Sequence, residues 1–269
     1  MSQQKFPTKI MGIINATDDS FFENSRFSGI DAISKIQNMI SDGAQIIDIG
    51  GMSSRPGSIE ISEEEELNRI KPICNMIQEQ KLYEKVIFSI DSYTPSVIEY
   101  ALKSGFSIVN DITGLANDEV AKLTSKYDAT IVIMHMKGTP KNMQTNPQYK
   151  DVISEIDTFF HKQIQKANNF GIKNIILDVG IGFGKTVEHN LILLKNMNYF
   201  LHFEYELLIG ASRKSIIDNI VPTSIENRLS GTLAIHLDSI QRGASIVRCH
   251  DVKEHHQAIK VQEAIFTSA

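Results

Sequence analysis

Eight short apolar runs restrict this chain more than any other feature of it. They fall at residues 9–14, 44–49, 86–90, 107–110, 130–134, 174–177, 206–209 and 245–248. Most are rich in Ile and Val and nearly continuous rather than alternating, as strands covered on both faces read. Helix-length segments separate most of them. Residues 30–41 carry Ile33, Ile36, Met39 and Ile40 at helical spacing. Ser62 with Glu65 reads as a capping box opening a helix to about Gln78. Thr94 and Pro95 read as an N-cap and first helical residue. Thr223 with Glu226 reads as a second capping box, before a helix through Arg242, and 152–168 and 252–265 are helical by pattern. Strands alternating with helices in this number predict an α/β fold, a (β/α)₈ barrel. One domain would cover 1–269, its core about 9–264; an open doubly wound sheet is the alternative.

Composition narrows the class. At 42% hydrophobic and 22% charged, the chain suits a soluble globular protein, and a net charge of −5 argues against nucleic acid as partner. Cys74 and Cys249 have no metal-ligand spacing around them, which predicts a reducing, cytoplasmic setting. No secretory signal is read at the N-terminus, and no run approaches a membrane span.

In such barrels chemistry gathers where strands end. Those positions hold Asn15, Asp48, Asp91, Asn110, Asp111, His135, Asp178, Lys214, Arg248 and His250. Asp178 is followed by Gly180, Gly182, Gly184 and Lys185, a loop whose backbone can press against a polar heterocycle. It is neither a Walker loop, since Val179 stands where glycine is required, nor GxGxxG, since Lys185 does. Asp91, Asn110 and Asp178 could read a flat heterocycle with several N–H donors. Lys214, Arg248, His250 and Arg55 could hold a phosphate or diphosphate. Asn15 offers a neutral oxygen suited to Mg²⁺. Plainer readings fall on other residues. Asp48, before Gly50 and Gly51, reads as a loop-shaping acid, Asp111 as a turn cap, and His135 as a satisfied structural residue. Lys185 reads as solvated, His236 as packing, and His255 and His256 as surface. The loop 136–149 is long enough to read as functional or mobile.

Taken in order, MGIINATDDSF, DIGGMSSRPG, SIDSY, VNDITG, IVIMHMKGTPKNMQ, LDVGIGFGKTVEHN, LIGASRKS, NRLSGT and VRCHDV resemble the dihydropteroate synthase family of pterin-binding enzymes. The resemblance runs from about Lys9 to about Ala264. It implies a (β/α)₈ barrel working as a homodimer, and sulfonamide sensitivity. The implied reaction condenses (7,8-dihydropterin-6-yl)methyl diphosphate with p-aminobenzoate, giving 7,8-dihydropteroate and diphosphate. By position it implies pterin binding by Asp91, Asn110, Asp178 and Lys214, and diphosphate binding by Asn15, Ser54, Arg248 and His250, with Asn15 as Mg²⁺ ligand. Around the aminobenzoate it implies Phe21, Ser54, Arg55, Pro56, Phe183, Lys214 and Ser215. The chain departs from the family pattern at Asp18, Glu23, Ser54, Ser92 and Val179, which bears on loop behaviour more than on chemistry. Two other classes stay open: a pterin-binding methyltransferase module with a corrinoid partner, which would need no diphosphate anchor, and a non-catalytic paralogue.

Overall fold

The computed structural model of the chain describes residues 7–16, 25–53 and 61–268. Eight parallel strands close into a barrel in sequence order. They are β1 (Lys9–Asn15), β2 (Ile46–Gly50), β3 (Ile87–Asp91), β4 (Ile108–Asp111), β5 (Thr130–Met134), β6 (Ile175–Asp178), β7 (Glu206–Ile209) and β8 (Ile246–Cys249). The described helices are α1 (Ser25–Ser41), α2 (Glu63–Glu79), α3 (Pro95–Lys103), α4 (Asp118–Lys126), α5 (Val152–Asn169), α6 (Val187–Lys195), α7 (Ser215–Ile220), α8 (Leu229–Gln241) and α9 (Val252–Thr267). Short 3₁₀ turns lie at Leu82–Glu84, Met197–Phe203 and Ile225–Asn227. None of the described helices is long and apolar enough to cross a membrane.

The near-continuous apolar runs follow from burial on both faces of each strand. One face of each packs outward against the helices: Ile47, Phe88, Val109, Ile133 and Leu177 join Ile36, Ile70, Val97 and Ile156 in one cluster. The other face fills the barrel. Met11, Ile46, Ile108, Val132, Ile176, Leu208 and Ile246 form a second, separate cluster. These come from every strand except β3, which has buried Ser89 on that face. Below them, Lys9 Nζ and Glu206 Oε1 pair at 2.9 Å. Side chains repeat their direction every two residues along a strand. Two positions beyond the apolar plug, the same interior therefore receives Asp48, Asn110, Asp178 and Arg248, and two beyond Ser89 it receives Asp91.

Helix starts follow the sequence in part. Ser62 accepts the Glu65 N–H at 3.2 Å, but the Glu65 carboxylate turns to Arg69 Nε at 2.9 Å, so only half of the expected capping box forms. Thr94 takes the N-cap position without a side-chain cap; its hydroxyl donates to buried Glu66 at 2.6 Å. The box expected at Thr223 and Glu226 is absent. Thr223 N–H is taken by Asp218 Oδ1 at 2.9 Å, a 3₁₀ turn intervenes, and α8 starts at Leu229.

Leu208→Ala removes a side chain from the middle of the plug, which neighbouring strands cannot collapse to fill. Urea denaturation is expected to register a loss of about 2–5 kcal/mol in unfolding free energy.

Candidate active site

Two of the barrel acids, Asp48 and Asp91, are gathered by one cation. Arg248 Nε donates to Asp48 Oδ2 at 2.6 Å, and its Nη2 donates to Asp91 Oδ2 at 2.6 Å. Asn110 Nδ2 donates to the same Asp48 oxygen at 3.0 Å. Burial pushes Asp91 up to about 7; Arg248 opposes the rise, and Asp48 and Glu66 add to it. For Arg248, burial works against the charge, but Asp48 and Asp91 outweigh it and hold the guanidinium protonated. Arg248 therefore sits among the acids. Asp48 also corrects its reading as a loop-shaping residue. Strand β2 continues through Gly50, so Asp48 is a mid-strand side chain inside the barrel, fully buried. Asp48 Oδ1 and Ser89 Oγ, on residues paired in register, have no hydrogen-bond partner.

Across the interior, Asp178 ends β6 with its carboxylate buried, and burial raises its pKa against the pull of Lys214. Its Oδ1 accepts the Gly180 N–H at 2.8 Å. Gly180 has φ +68°, and a Cβ there would stand 2.0 Å from the His135 carbonyl oxygen; at Gly184, φ +64°, it would stand 2.2 Å from that of Lys137. Only glycine fits either position. Lys185, expected to be solvated, is instead buried beneath this loop. Its ammonium donates to the carbonyls of His135, Gly180 and Phe183 at 3.1, 2.9 and 3.0 Å. Those carbonyls lose water when the loop folds over them, and the lysine replaces it. The loop at 136–149 braces the same turn from outside: Gln144 Nε2 donates to the Gly182 carbonyl at 2.5 Å, and Tyr149 OH to that of Gly184 at 2.8 Å. His135 is packed edge-on to Phe159, ring centres 4.9 Å apart, and burial lowers its pKa to about 2. Its Nδ1 has no partner, so it is structural without being satisfied. Asp111 is the turn cap expected, accepting from Thr113 N–H at 2.7 Å and Leu115 N–H at 3.0 Å.

After β7, Lys214 Nζ donates to the Ile181 carbonyl and stands 4.5 Å from the centre of the Phe183 ring. Burial lowers it to about 8, while Asp178 and Asp91 pull upward and Arg248 downward, so it shares their field. Ser215 is exposed at the start of α7. After β8, His250 N–H donates to Ser212 Oγ at 3.2 Å, and its Nδ1 lies 2.9 Å from the same oxygen. Asn15 is exposed at the end of β1, two residues beyond Ile13, the register partner of Asp48. Phe21, Ser54, Arg55 and Pro56, with Asp18 and Glu23, lie outside the described residues.

One arrangement escaped the sequence. His255, expected on the surface, is buried against His236. Ala211 N–H donates to His236 Nε2 at 3.1 Å; His236 Nδ1 faces His255 Nε2 at 2.9 Å; His255 Nδ1 faces the Asp251 carbonyl at 2.6 Å. One proton placement satisfies all three contacts: each ring carries its hydrogen on Nδ1 and accepts at Nε2. Burial keeps both imidazoles neutral by lowering their pKa values. The chain ties Ala211, two residues after β7, to the segment after β8, and Asp251 also accepts from Arg213 Nε at 3.1 Å. A search for i,i+4 partners misses it because the second ring is on another helix.

This geometry has counterparts. Residues 11–250 match the family model described as "Pterin binding enzyme". The chain is 40% identical over 262 residues to the dihydropteroate synthase of Escherichia coli, covering 96% of this chain and 92% of that one. It is similar to the Yersinia pestis dihydropteroate synthase solved with a sulfonamide drug complex: TM-score 0.91, 36% identity, 97% of this chain and 95% of that one. It is also similar to the Xanthomonas albilineans dihydropteroate synthase solved with 4-aminobenzoic acid: TM-score 0.90, 31% identity, 98% and 94% covered. The chain belongs to the pterin-binding enzymes and, among them, to the dihydropteroate synthase family.

Proposed function

We propose that this chain joins (7,8-dihydropterin-6-yl)methyl diphosphate to p-aminobenzoate, giving 7,8-dihydropteroate and diphosphate. The observation that carries the reading is buried Asp178 at the head of its glycine loop, sharing one electrostatic field with Lys214 and Arg248. The methyltransferase alternative has no use for a diphosphate anchor, and the family match and the residues after β7 and β8 favour the synthase.

The pterin edge carries an amino group and a ring N–H side by side. Asp178 accepts from both, with Asn110 and Asp91 completing the recognition and Lys214 lying alongside. Asn110 donates to Asp48, which leaves its amide oxygen to accept from the ligand. The guanidinium donors of Arg248 beyond Nε and Nη2, together with His250, Ser54 and Asn15, take the diphosphate. His250, held against Ser212 through its backbone N–H and its Nδ1, adds an imidazole to that end of the site. Phe183, Lys214 and Ser215, with Phe21, Ser54, Arg55 and Pro56 by family position, surround the aminobenzoate. Mg²⁺ prefers oxygen ligands and keeps several waters. The neutral amide oxygen of Asn15 near the acid–arginine cluster fits such an ion held chiefly by diphosphate oxygens. When bound, the ion offsets charge on the leaving group.

The bond that breaks joins the pterin methylene to a diphosphate oxygen; the one that forms joins that carbon to the aminobenzoate nitrogen, which then releases a proton. Aminobenzoate is a weak amine, so departure of the diphosphate comes first, and the dihydropterin ring shares the positive charge. Asp91 and Asp178 favour that cation, while Arg248 and His250 stabilise the departing anion. Cytoplasmic placement accords with two buried, unpaired thiols at Cys74 and Cys249. A homodimer accords with exposed apolar residues Leu191 and Ile192 on α6, Tyr199, and Ile220 and Val221 at the end of α7, a helix that packs against α6.

Wild-type protein given the pterin diphosphate, aminobenzoate and Mg²⁺ is expected to release diphosphate. Asp178→Asn is expected to cut that rate by about 100-fold or more, since charge-assisted bonds of roughly 1.5–3 kcal/mol each are lost, with an unchanged circular dichroism spectrum. Normal turnover in the variant would remove the pterin role.

The Lys214 charge is present below about 8 and lost as pH rises through that value. kcat/KM is expected to fall on this alkaline limb, and Lys214→Arg, which stays charged, is expected to shift the limb upward; a limb unmoved by the substitution would assign it elsewhere.

The double variant Ile220→Asp/Val221→Asp is expected to sediment at half the mass of the wild type.

A further inference from the structure

On the outer wall of the barrel, three metal-type donors meet where α5 approaches the 3₁₀ turn before β7. Asp157 and His161 stand one turn apart on α5, and His202 comes from the turn. Their ligand atoms all lie within 4.8 Å of one another. His202 Nε2 is 3.0 Å from Asp157 Oδ1, and His161 Nε2 is 3.6 Å from Asp157 Oδ2. Donors about 2.0–2.1 Å from a tetrahedral zinc lie roughly 3.4 Å from each other, so a cluster of this size needs only small side-chain adjustments to close on an ion.

The protons argue for a cation. His202 Nδ1 is 2.7 Å from the Tyr199 carbonyl, which can only accept, so Nδ1 carries a hydrogen. In the neutral ring Nε2 is then a bare lone pair aimed at a carboxylate. Asp157 Oδ1 is itself buried and accepts no well-formed hydrogen bond. Two electron-rich atoms at 3.0 Å need something positive between them, either a proton or a metal ion. The Tyr199 carbonyl is also the kind of outer partner that fixes the tautomer of metal-bound histidines. Both rings are held by Phe203: His202 lies over it at 4.1 Å between centres, and His161 meets it edge-on at 4.7 Å. The set is thus oriented before any ion arrives, and the exposed imidazoles leave a path in.

We propose that Asp157, His161 and His202 bind one divalent transition-metal ion, clipping α5 to the turn that leads into β7. Two imidazoles and one carboxylate suit zinc, nickel or copper rather than magnesium or calcium, which favour all-oxygen sites. Three protein ligands leave a coordination position for water. The site is separate from the residues assigned to the synthase reaction.

The experiment is a calorimetric titration of chelator-treated protein with Zn²⁺, alongside His161→Ala and His161→Ala/His202→Ala. Wild type is expected to take up one Zn²⁺ per chain with micromolar or tighter affinity, and to melt at higher temperature with zinc present. The single variant is expected to bind at least about 10-fold more weakly, since loss of even an outer-shell partner costs about 10–100-fold, and the double variant to lose both the binding and the thermal shift. Co²⁺ is expected to give visible ligand-field bands in wild type that the double variant lacks. Diphosphate release in Mg²⁺ is expected to be unchanged in all three. Equal zinc uptake by wild type and double variant, or no uptake by wild type, would overturn the proposal and leave a proton between His202 and Asp157.

Discussion

The pairing of Arg248 with both Asp48 and Asp91 is the constraint on which the rest of the site depends. Carboxylates and a guanidinium inside a barrel are tolerable only when each partners another, because an isolated buried charge costs several kcal/mol or more. Breaking such a pair from one side typically costs about 3–5 kcal/mol. The arginine therefore holds two strands on the far side of the opening from Asp178 in a fixed relation to its own. It also leaves the cluster poised: with Asp91 raised to about 7, small changes in what binds decide where its proton resides.

That charge cluster rests on an apolar floor. The side chains of the seven plug residues below it are buried and apolar. The ion pair between Lys9 and Glu206 lies beneath them. The described loops after β6, β7 and β8 are held equally firmly. Lys185 fills the underside of the glycine turn with three hydrogen bonds to carbonyls, and the neutral His236–His255 chain joins the segments carrying Lys214 and His250. Donors and acceptors fixed in this way need not reorganise when charge moves from the pterin carbon to a departing diphosphate, which is where electrostatic catalysis gains most.

Much of this was legible in the chain. Strand positions followed from Ile- and Val-rich runs, and β5 and β7 begin and end where the pattern puts them. Asp178 was marked by the glycines after it, and Asp111 was rightly set aside as a cap. The misreadings share a cause. Asp48 looked like a turn residue because Gly50 and Gly51 follow, yet β2 runs one residue into those glycines. Lys185 looked solvated because one of the carbonyls that bind it belongs to His135, just after β5 and 50 residues away. His255 looked exposed because its partner sits on a different helix. Thr223 carried the letters of a cap but is claimed by Asp218.

By itself the sequence determined the periodicities: which runs are buried on both faces, where backbone must turn through glycine, and which strand ends carry charge. These are local properties, set by side-chain volume, backbone sterics and the two-residue repeat of a strand. Only the closed barrel decided which charges meet. Closure brings β8 against β1 and aims Arg248 at acids up to 200 residues distant in the chain. Whether a charged side chain ends as a surface group, a loop anchor or part of a reaction centre depends on what the folded chain sets opposite it and on whether water can still reach it. Neither is written at any single position.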